Sequence, residues 1–554
     1  MFSLECTRLY CFILLSLYRN IIEQPDNLHF IMKQYLLALM LILMGSYSSA
    51  QSFIIPTPQV ESMKRGHFTL SKGSQFSFQG DASQKDYFNL LKQDLQSLSA
   101  DELSSNELVF VLDPLLNMDK EAYLLEIKAD QIVLQAQARN GLRYGVEALK
   151  QLARIGNGKI RCARIESSPR FSWRGFMLDE SRHFFGKEKV KQYLDIMANL
   201  HLNVFHWHLT DEPGWRIEIK KYPKLTTVGG IGNWHEADAE ASFYTQEDIK
   251  EIVAYAQERN IMIVPEIDMP GHASAASRAY PELSGGGEGR WEGFTFHPTK
   301  ESTYQFIDDV LSEIVELFPF PYIHIGGDEV HYGNQSWFTD PEIQQFIKDK
   351  KLANEKELEH YFVRRVADII ASKGRKMIGW DEVLDAGVSP SKVIVMWWRH
   401  DRKYQLLKAL ESGYEVVLTP RRPMYADFFQ HSTHRIGRYW DGYNPIEDIL
   451  NFPKDLEHYY TDYPTQIKGM QMSLWTERVA DNKRLDYMTF PRLIGVAESA
   501  WTVESKKSYS LFMMSLPHYL RYLDSLSIYY FNPLDPALRK EPWGPSKQDV
   551  IQNG

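Results

Sequence analysis

The chain has 554 residues, 44% hydrophobic and 24% charged, with a formal net charge of -10. That apolar content over that length excludes intrinsic disorder as the main state and leaves room for two or more domains. The 62 basic and 72 acidic residues are interspersed, so there is no electrostatic footprint for nucleic acid or an anionic membrane, and no nucleic-acid partner is expected.

In chain order, the first feature is Met32 to Ala50, MKQYLLALMLILMGSYSSA, with Lys33 as a basic start, an apolar stretch and small residues before Gln51. This is the pattern of a secretory signal peptide cleaved after Ala50, with Met32 as the true start and residues 1–50 as presequence. The apolar core is shorter than the roughly 20 residues of a membrane-spanning helix, so no span is expected in the mature chain. Export across the inner membrane follows, with periplasm, cell surface and medium all open. Cys6 and Cys11 fall in the presequence and leave Cys162 alone, which excludes an internal disulfide and a thiolate metal cluster.

Residues 51–166 read as a small α+β domain. Strands are predicted at 108–112, 122–128 and 131–136, and helices at 86–98 and 141–153. A turn-rich junction around Pro169 closes it. Beyond it, eight short apolar runs alternate with longer amphipathic stretches: 175–179, 203–208, 261–267, 322–327, 376–379, 393–396, 415–419 and 470–474. Helices are predicted at 187–200, 246–259 (with Thr245 as N-cap), 303–317 and 355–372. This alternation predicts a (β/α)8 barrel of the TIM type over 167–502 in preference to an open sheet. Residues 503–554 are expected to form a helical extension with a Pro-rich tail, packed on the barrel.

Active sites of such barrels form at the C-terminal strand ends. Here those ends carry Asp179 and Arg182; His208 and Asp211; Glu266, Asp268 and His272; Asp328 and Glu329; Trp380 and Glu382; Trp398; Tyr425 and Asp427; and Trp475 and Glu477. In IHIGGDE, residues 323–329, two glycines release the backbone from strand geometry. Strand residues alternate faces, so Asp328 and Glu329 can both reach the barrel mouth only if the strand ends before them. Two acids sharing such a site suit glycosidic cleavage, which needs a proton on the leaving oxygen and an anion beside the developing positive charge. An acidic pair capping the next helix is the alternative. Indoles at three strand ends offer flat walls for a sugar, with Arg182, Asp427 and Glu477 available for its hydroxyls; core filling is the plain alternative for each indole.

A second chemistry is open as well. His206 and His208 share a strand face and, with His272, His324 and Asp328, could ligate a metal as in amidohydrolase-type barrels. That scheme leaves the acidic pair and the aromatic strand ends without a use. A catalytically silent carbohydrate-binding barrel is a third reading.

The strings PRFSWRGFMLDESRHFF (169–185), LNVFHWHLTDEPGWRIEI (202–219), PEIDMPGHA (265–273), HIGGDEV (324–330), Trp380 in IGW, Tyr425 and Asp427 in YAD, and LWTE (474–477) resemble glycoside hydrolase family 20, the β-N-acetylhexosaminidases. Residues 54–152 resemble the family's N-terminal domain, so the resemblance covers nearly the whole mature chain. It implies an exo-acting hydrolase that removes terminal non-reducing β-linked GlcNAc or GalNAc from oligosaccharides or glycoconjugates, with no metal or cofactor. The implied mechanism is retaining and substrate-assisted: the sugar's acetamido oxygen attacks the anomeric carbon, Glu329 is acid then base, and Asp328 holds the acetamido N–H.

Residue by residue, the resemblance implies that Arg182, Asp427 and Glu477 bind hydroxyls, that Trp380, Trp398 and Trp475 wall the sugar, and that Tyr425 bonds the acetamido oxygen. Asp211 and His272 would link to Glu329, with Asp179, His208 and Asp268 as support behind them. Glu180 and Glu212 depart from the usual motif but are expected outside the contact positions, and Trp397 beside Trp398 leaves the wall uncertain by one residue. The natural glycan, GlcNAc against GalNAc preference and oligomeric state stay open. The distal contacts are expected on loops 230–242 and 284–293.

Overall fold

The computed structural model describes residues 52–101, 104–439 and 442–542. The predicted signal peptide and the end of the Pro-rich tail lie outside the described residues.

The described residues begin with a six-stranded mixed sheet: β1 (Val60–Thr69), β2 (Gln75–Gln79), β3 (Glu107–Leu112), β4 (Tyr123–Ile127), β5 (Gln131–Ala136) and β6 (Lys159–Ser167), in spatial order β1-β6-β4-β5-β3-β2. Along β4 and β5 burial alternates residue by residue, as expected of strands with one face on a core. The core side is covered by helices Lys85–Gln96 and Arg139–Ile155. Sequence periodicity located β3, β4 and β5 but not β1 and β2, whose largely exposed, polar-rich stretches carry little apolar signal, nor β6, whose buried Ile160, Cys162, Ala163 and Ile165 are interrupted by charged residues.

Helix Arg139–Ile155 is buried on more than one side because it lies between the sheet and the barrel. Asn199, at the end of the first barrel helix (Lys187–Asn199), donates to Glu147 Oε2 at 2.8 Å, and Gln151 Nε2 donates to the Asn199 carbonyl at 2.9 Å. From the first barrel strand the fully buried Arg174 reaches across to Glu121 (2.8 and 3.1 Å) and to the Tyr144 hydroxyl (3.0 Å). Trp501 closes the junction, stacking edge-on against Tyr144 and donating from Nε1 to Ser167 Oγ at 2.8 Å.

Eight parallel strands then close a barrel: β7 (Trp173–Asp179), β8 (Val204–His208), β9 (Met262–Glu266), β10 (Tyr322–His324), β11 (Lys376–Trp380), β12 (Val393–Trp397), β13 (Glu415–Leu418) and β14 (Ile467–Leu474), with β14 paired to β7. Both strand faces are covered, which is why the runs are continuously apolar. Helix Gln246–Glu258 begins with the expected Thr245 cap, a capping box shared with Asp248. One predicted strand is shorter than expected: β10 stops at His324, not at 327, because Gly326 (φ 68°) and Gly327 (φ 89°) turn the chain out of the sheet. Helix Tyr509–Ser525 packs Phe512, Leu516 and Leu520 into the same apolar cluster as the barrel helices. Among the described residues no helix is long and apolar enough to cross a membrane.

Candidate active site

A cavity of about 650 Å³ opens at the C-terminal ends of the barrel strands, lined by residues from Arg182 after β7 to Glu477 after β14. Asp328 and Glu329 both line it, so the early end of β10 does bring consecutive acids to one wall. The two differ in setting. Asp328 is buried, whereas the Glu329 side chain is 34% exposed and its backbone sits in the left-handed region (φ 53°, ψ 17°), sparsely populated by residues other than glycine. His272 shares that backbone state at φ 55°. Strain at two residues facing one cavity is the kind that surrounding structure holds in place at functional sites.

A chain of charges stands behind the pair. Arg182 Nη1 lies 3.3 Å from Asp179 and Nη2 2.7 Å from Asp211; Asp211 Oδ1 lies 3.0 Å from His272 Nδ1. His272 Nε2 then faces Asp328 Oδ2 at 3.9 Å and Glu329 Oε2 at 4.0 Å. Burial opposes charge on His272, but Asp211 and Asp268 outweigh it and hold its proton well above the usual imidazole range. Asp328 is pushed well above the usual carboxylate range by burial and by Asp268, with His272 pulling the other way. Asp268, expected as support from behind, itself lines the cavity. Asp179 is deeper: its carboxylate accepts from the Thr476 N–H at 3.0 Å and the Ser181 N–H at 3.0 Å, locking β7 to β14. His208 lies 3.3 Å from Asp179 and 3.4 Å from Asp211.

The opposite wall is aromatic. Trp398 and Tyr425 are near-parallel (6.4 Å between centroids, 11°), and Tyr425 is 6.1 Å from Trp475. Trp398 Nε1 donates to Glu382 Oε2 at 2.9 Å; burial and Asp381 push the Glu382 carboxyl up to about 8. Trp397 points the other way, into the layer between strands and helices, so Trp398 is the residue at the cavity. Trp380 is buried next to Trp475 (5.8 Å) and donates to Glu266 Oε1 at 3.0 Å; it does not reach the cavity lining. Asp427 is also buried away from the lining, with Oδ2 2.8 Å from Arg438 Nε, and Arg438 Nη2 binds Glu477 Oε1 at 2.7 Å. Burial raises the Asp427 carboxyl to about 6, against the pull of Arg438.

Two departures from the usual motif separate in space. Glu180 lies outside the cavity, a buried acceptor for Trp207 Nε1 (2.6 Å) and the Tyr244 hydroxyl, raised to about 7 by burial. Glu212, contrary to expectation, lines the cavity. Trp234, Arg290 and Trp291 in the lining lie on the two loops expected to carry distal contacts, 230–242 and 284–293, though no residue there was singled out, whereas Arg438 and Tyr332 were missed, on connections without periodic pattern.

The five residues of the metal-hydrolase scheme do not converge. His206 and His324 lie against Glu266 (2.8 and 2.9 Å), beneath the cavity, while His272 and Asp328 gather with Asp268. His206 Nδ1 accepts from Gln471 at 2.9 Å, and Gly326 N–H donates to His324 Nδ1 at 3.0 Å, so these imidazoles already have partners.

Residues 171–504 match the family described as "Glycosyl hydrolase family 20, catalytic domain", and residues 51–166 match its domain 2. Among curated proteins, a "Beta-hexosaminidase" of Porphyromonas gingivalis is 35% identical over 460 residues, 79% of this chain and 58% of that protein. One from Vibrio furnissii is 34% identical over 80% of this chain and 76% of its own length. The chain thus spans little more than half the length of the first relative. Among solved structures, a Vibrio harveyi exo beta-N-acetylglucosaminidase in complex with N-acetylglucosamine superposes with a TM-score of 0.79 at 31% identity, over 88% of this chain and 79% of that one. A Bacteroides fragilis beta-N-acetylhexosaminidase gives 0.75 at 30% identity, over 88% and 99%.

Proposed function

Since the chain belongs to glycosyl hydrolase family 20, we propose that it is an exo-acting β-N-acetylhexosaminidase, releasing terminal β-linked GlcNAc or GalNAc by a retaining, substrate-assisted reaction. The observation that carries this reading is the placement of Asp328 and Glu329 side by side after β10, facing the aromatic wall after β12 to β14. A two-carboxylate retaining scheme needs its nucleophile about 5 Å across the scissile bond from the acid. The carboxylates on the far side, Asp427 and Glu477, are occupied by Arg438. As the likeness to family 20 implies, the nucleophile is instead the substrate's acetamido oxygen, which closes on the anomeric carbon as the glycosidic bond breaks.

Glu329, the more exposed acid, donates its proton to the leaving oxygen and afterwards takes one from the attacking water. Asp328 accepts the acetamido N–H and offsets the positive charge of the oxazolinium intermediate; that charge favours its ionised form, against the burial that favours its neutral form. His272 and Asp211 orient this pair from behind. Tyr425 donates to the acetamido oxygen, Trp398 and Trp475 wall the sugar, and Arg182, Glu477 and Asp427 serve its hydroxyls, the last through Arg438.

The test is hydrolysis of an aryl N-acetyl-β-glucosaminide and its galacto analogue, with substrates fluorinated on the acetyl group in parallel. A rate that falls steeply as the acetamido oxygen is made less nucleophilic supports substrate assistance. Sugar binding without turnover would leave a silent carbohydrate-binding barrel, and activity lost on thorough chelation would restore the metal reading. Export is part of the proposal: mature protein starting at Gln51 in the cell envelope or medium is the expected observation.

A further inference from the structure

The rim of the cavity beside Glu329 carries a stacked column that the hydrolytic reaction does not use. The Arg290 guanidinium lies over the rings of both Trp234 (5.5 Å to the ring centroid) and Trp291 (4.8 Å). Trp291 in turn stacks on Tyr332 at 5.0 Å and 14°. Tyr332 ends the short turn after Glu329, and its N–H donates to the Glu329 carbonyl at 3.0 Å. All four side chains line the cavity. The column is thus tied to the acid that must meet the leaving oxygen.

The other guanidiniums on the wall are differently employed. Arg182 is held by Asp179 and Asp211, Arg438 by Asp427 and Glu477, and Arg421 by Asp401 at 2.9 Å, while Arg478 Nη1 donates to the Gly437 carbonyl at 3.5 Å. Arg290, like Arg478, makes no ion pair among the described residues, although Glu288 and Glu292 flank it in the chain and Glu212 feels its charge; it alone of the two lies over indole rings. Contact with two indole rings leaves its N–H donors available to an anion. A planar fork fixed in this way is suited to a planar or multidentate anion and loses little conformational freedom on binding it.

We infer that Arg290, set against Trp234 and Trp291 at the cavity rim, is a specificity residue for the leaving group, selecting glycans in which the sugar released from the N-acetylhexosamine carries an anionic group, a carboxylate or a sulfate. This rests on the hydrolytic reading above and narrows it on the side where sequence left the natural glycan open. Arg290 is exposed, so the preference is modest: about three- to fivefold in kcat/KM at low salt. Screening over about 3 Å at 1 M salt removes most of it.

The experiment uses three disaccharides sharing one GlcNAc donor and one β-linkage, to glucose, glucuronic acid and a 6-O-sulfated glucose, with an aryl N-acetyl-β-glucosaminide alongside. The expected result is an acid-to-neutral ratio of kcat/KM above about three for the carboxylate or the sulfate, the two arms naming which, falling towards one in 1 M NaCl and in Arg290→Gln. A ratio of one in the wild type, or a ratio that survives Arg290→Gln, overturns the role of Arg290. Aryl turnover tells this apart from the activity itself: its presence with a ratio of one removes only the leaving-group assignment, and its absence removes the hydrolase reading.

Discussion

Gly326 and Asp268 share one space: a Cβ built on Gly326 would stand 1.7 Å from Asp268 Oδ1. The glycine lets the loop carrying Asp328 and Glu329 pass against the acid that most influences Asp328. Gly326→Ala forces a side chain both into that carboxylate and onto a backbone at φ 68°. Displacement of the acidic pair by about 1 Å is enough for a loss on the order of 10²-fold in kcat/KM, with a lowered melting temperature. Wild-type kinetics in this variant would show that the loop does not depend on the contact.

Glu329→Gln removes the proton donor while keeping shape. Turnover of a natural disaccharide should fall by about 10²- to 10⁴-fold, and that of an aryl glycoside with a good leaving group much less at the bond-breaking step. A uniform loss on both would point to misfolding of the turn in place of lost acid catalysis.

Asp328→Asn keeps a hydrogen-bond acceptor but cannot balance the intermediate's charge. The first step should slow by about 10²- to 10³-fold with KM changed little. A pure KM effect would assign Asp328 to binding alone.

Asp268→Asn tests the electrostatics. Burial and then Asp268 hold the Asp328 carboxyl above its ordinary range, so the ionised form needed in the reaction is lost as pH falls through that raised value. Removing the Asp268 charge lowers it, and the acid limb of the kcat profile should move to lower pH. A limb that stays in place belongs to another group.

Glu147 tests the junction. Burial opposes its charge, but Lys150 and Arg143 prevail and hold its carboxyl well below the usual range. A depressed folded value means stabilisation that is present above the unfolded pKa of about 4.3 and is lost as pH falls below it. Glu147→Gln should therefore cost about 3 kcal/mol at neutral pH in a denaturant titration, with the difference from wild type shrinking in acid. A cost independent of pH would make the defect one of packing.

Much of this was legible in sequence because the barrel strands are buried on both faces and announce themselves as apolar runs; all eight fall where those runs lie. The strand ends then placed Asp328, Glu329, Arg182, Asp211 and His272 around one cavity. What was not legible is depth. Trp380 ends β11 and Asp427 follows the helical turn after β13, yet both lie below the surface, where Glu266 and Arg438 hold them. Arg438 and the Arg290 column sit on irregular connections, where no periodicity relates a residue's position to its direction. The strands β1 and β2 escaped for a different reason, having too little buried apolar surface to mark a period, while in β6 the buried Ile160, Cys162, Ala163 and Ile165 are interleaved with charged residues and include small ones.

Arg174 gives the front sheet a meaning beyond support. It belongs to the first barrel strand, yet its charge is balanced by Glu121 of the preceding unit, and Trp501 from the barrel's last helix covers it. A barrel freed of the sheet would keep the bonds from Arg174 to the His201 and Phe171 carbonyls but lose the only carboxylate that balances its charge among the described residues. Chimeras that exchange catalytic barrels between relatives must therefore move the sheet with them.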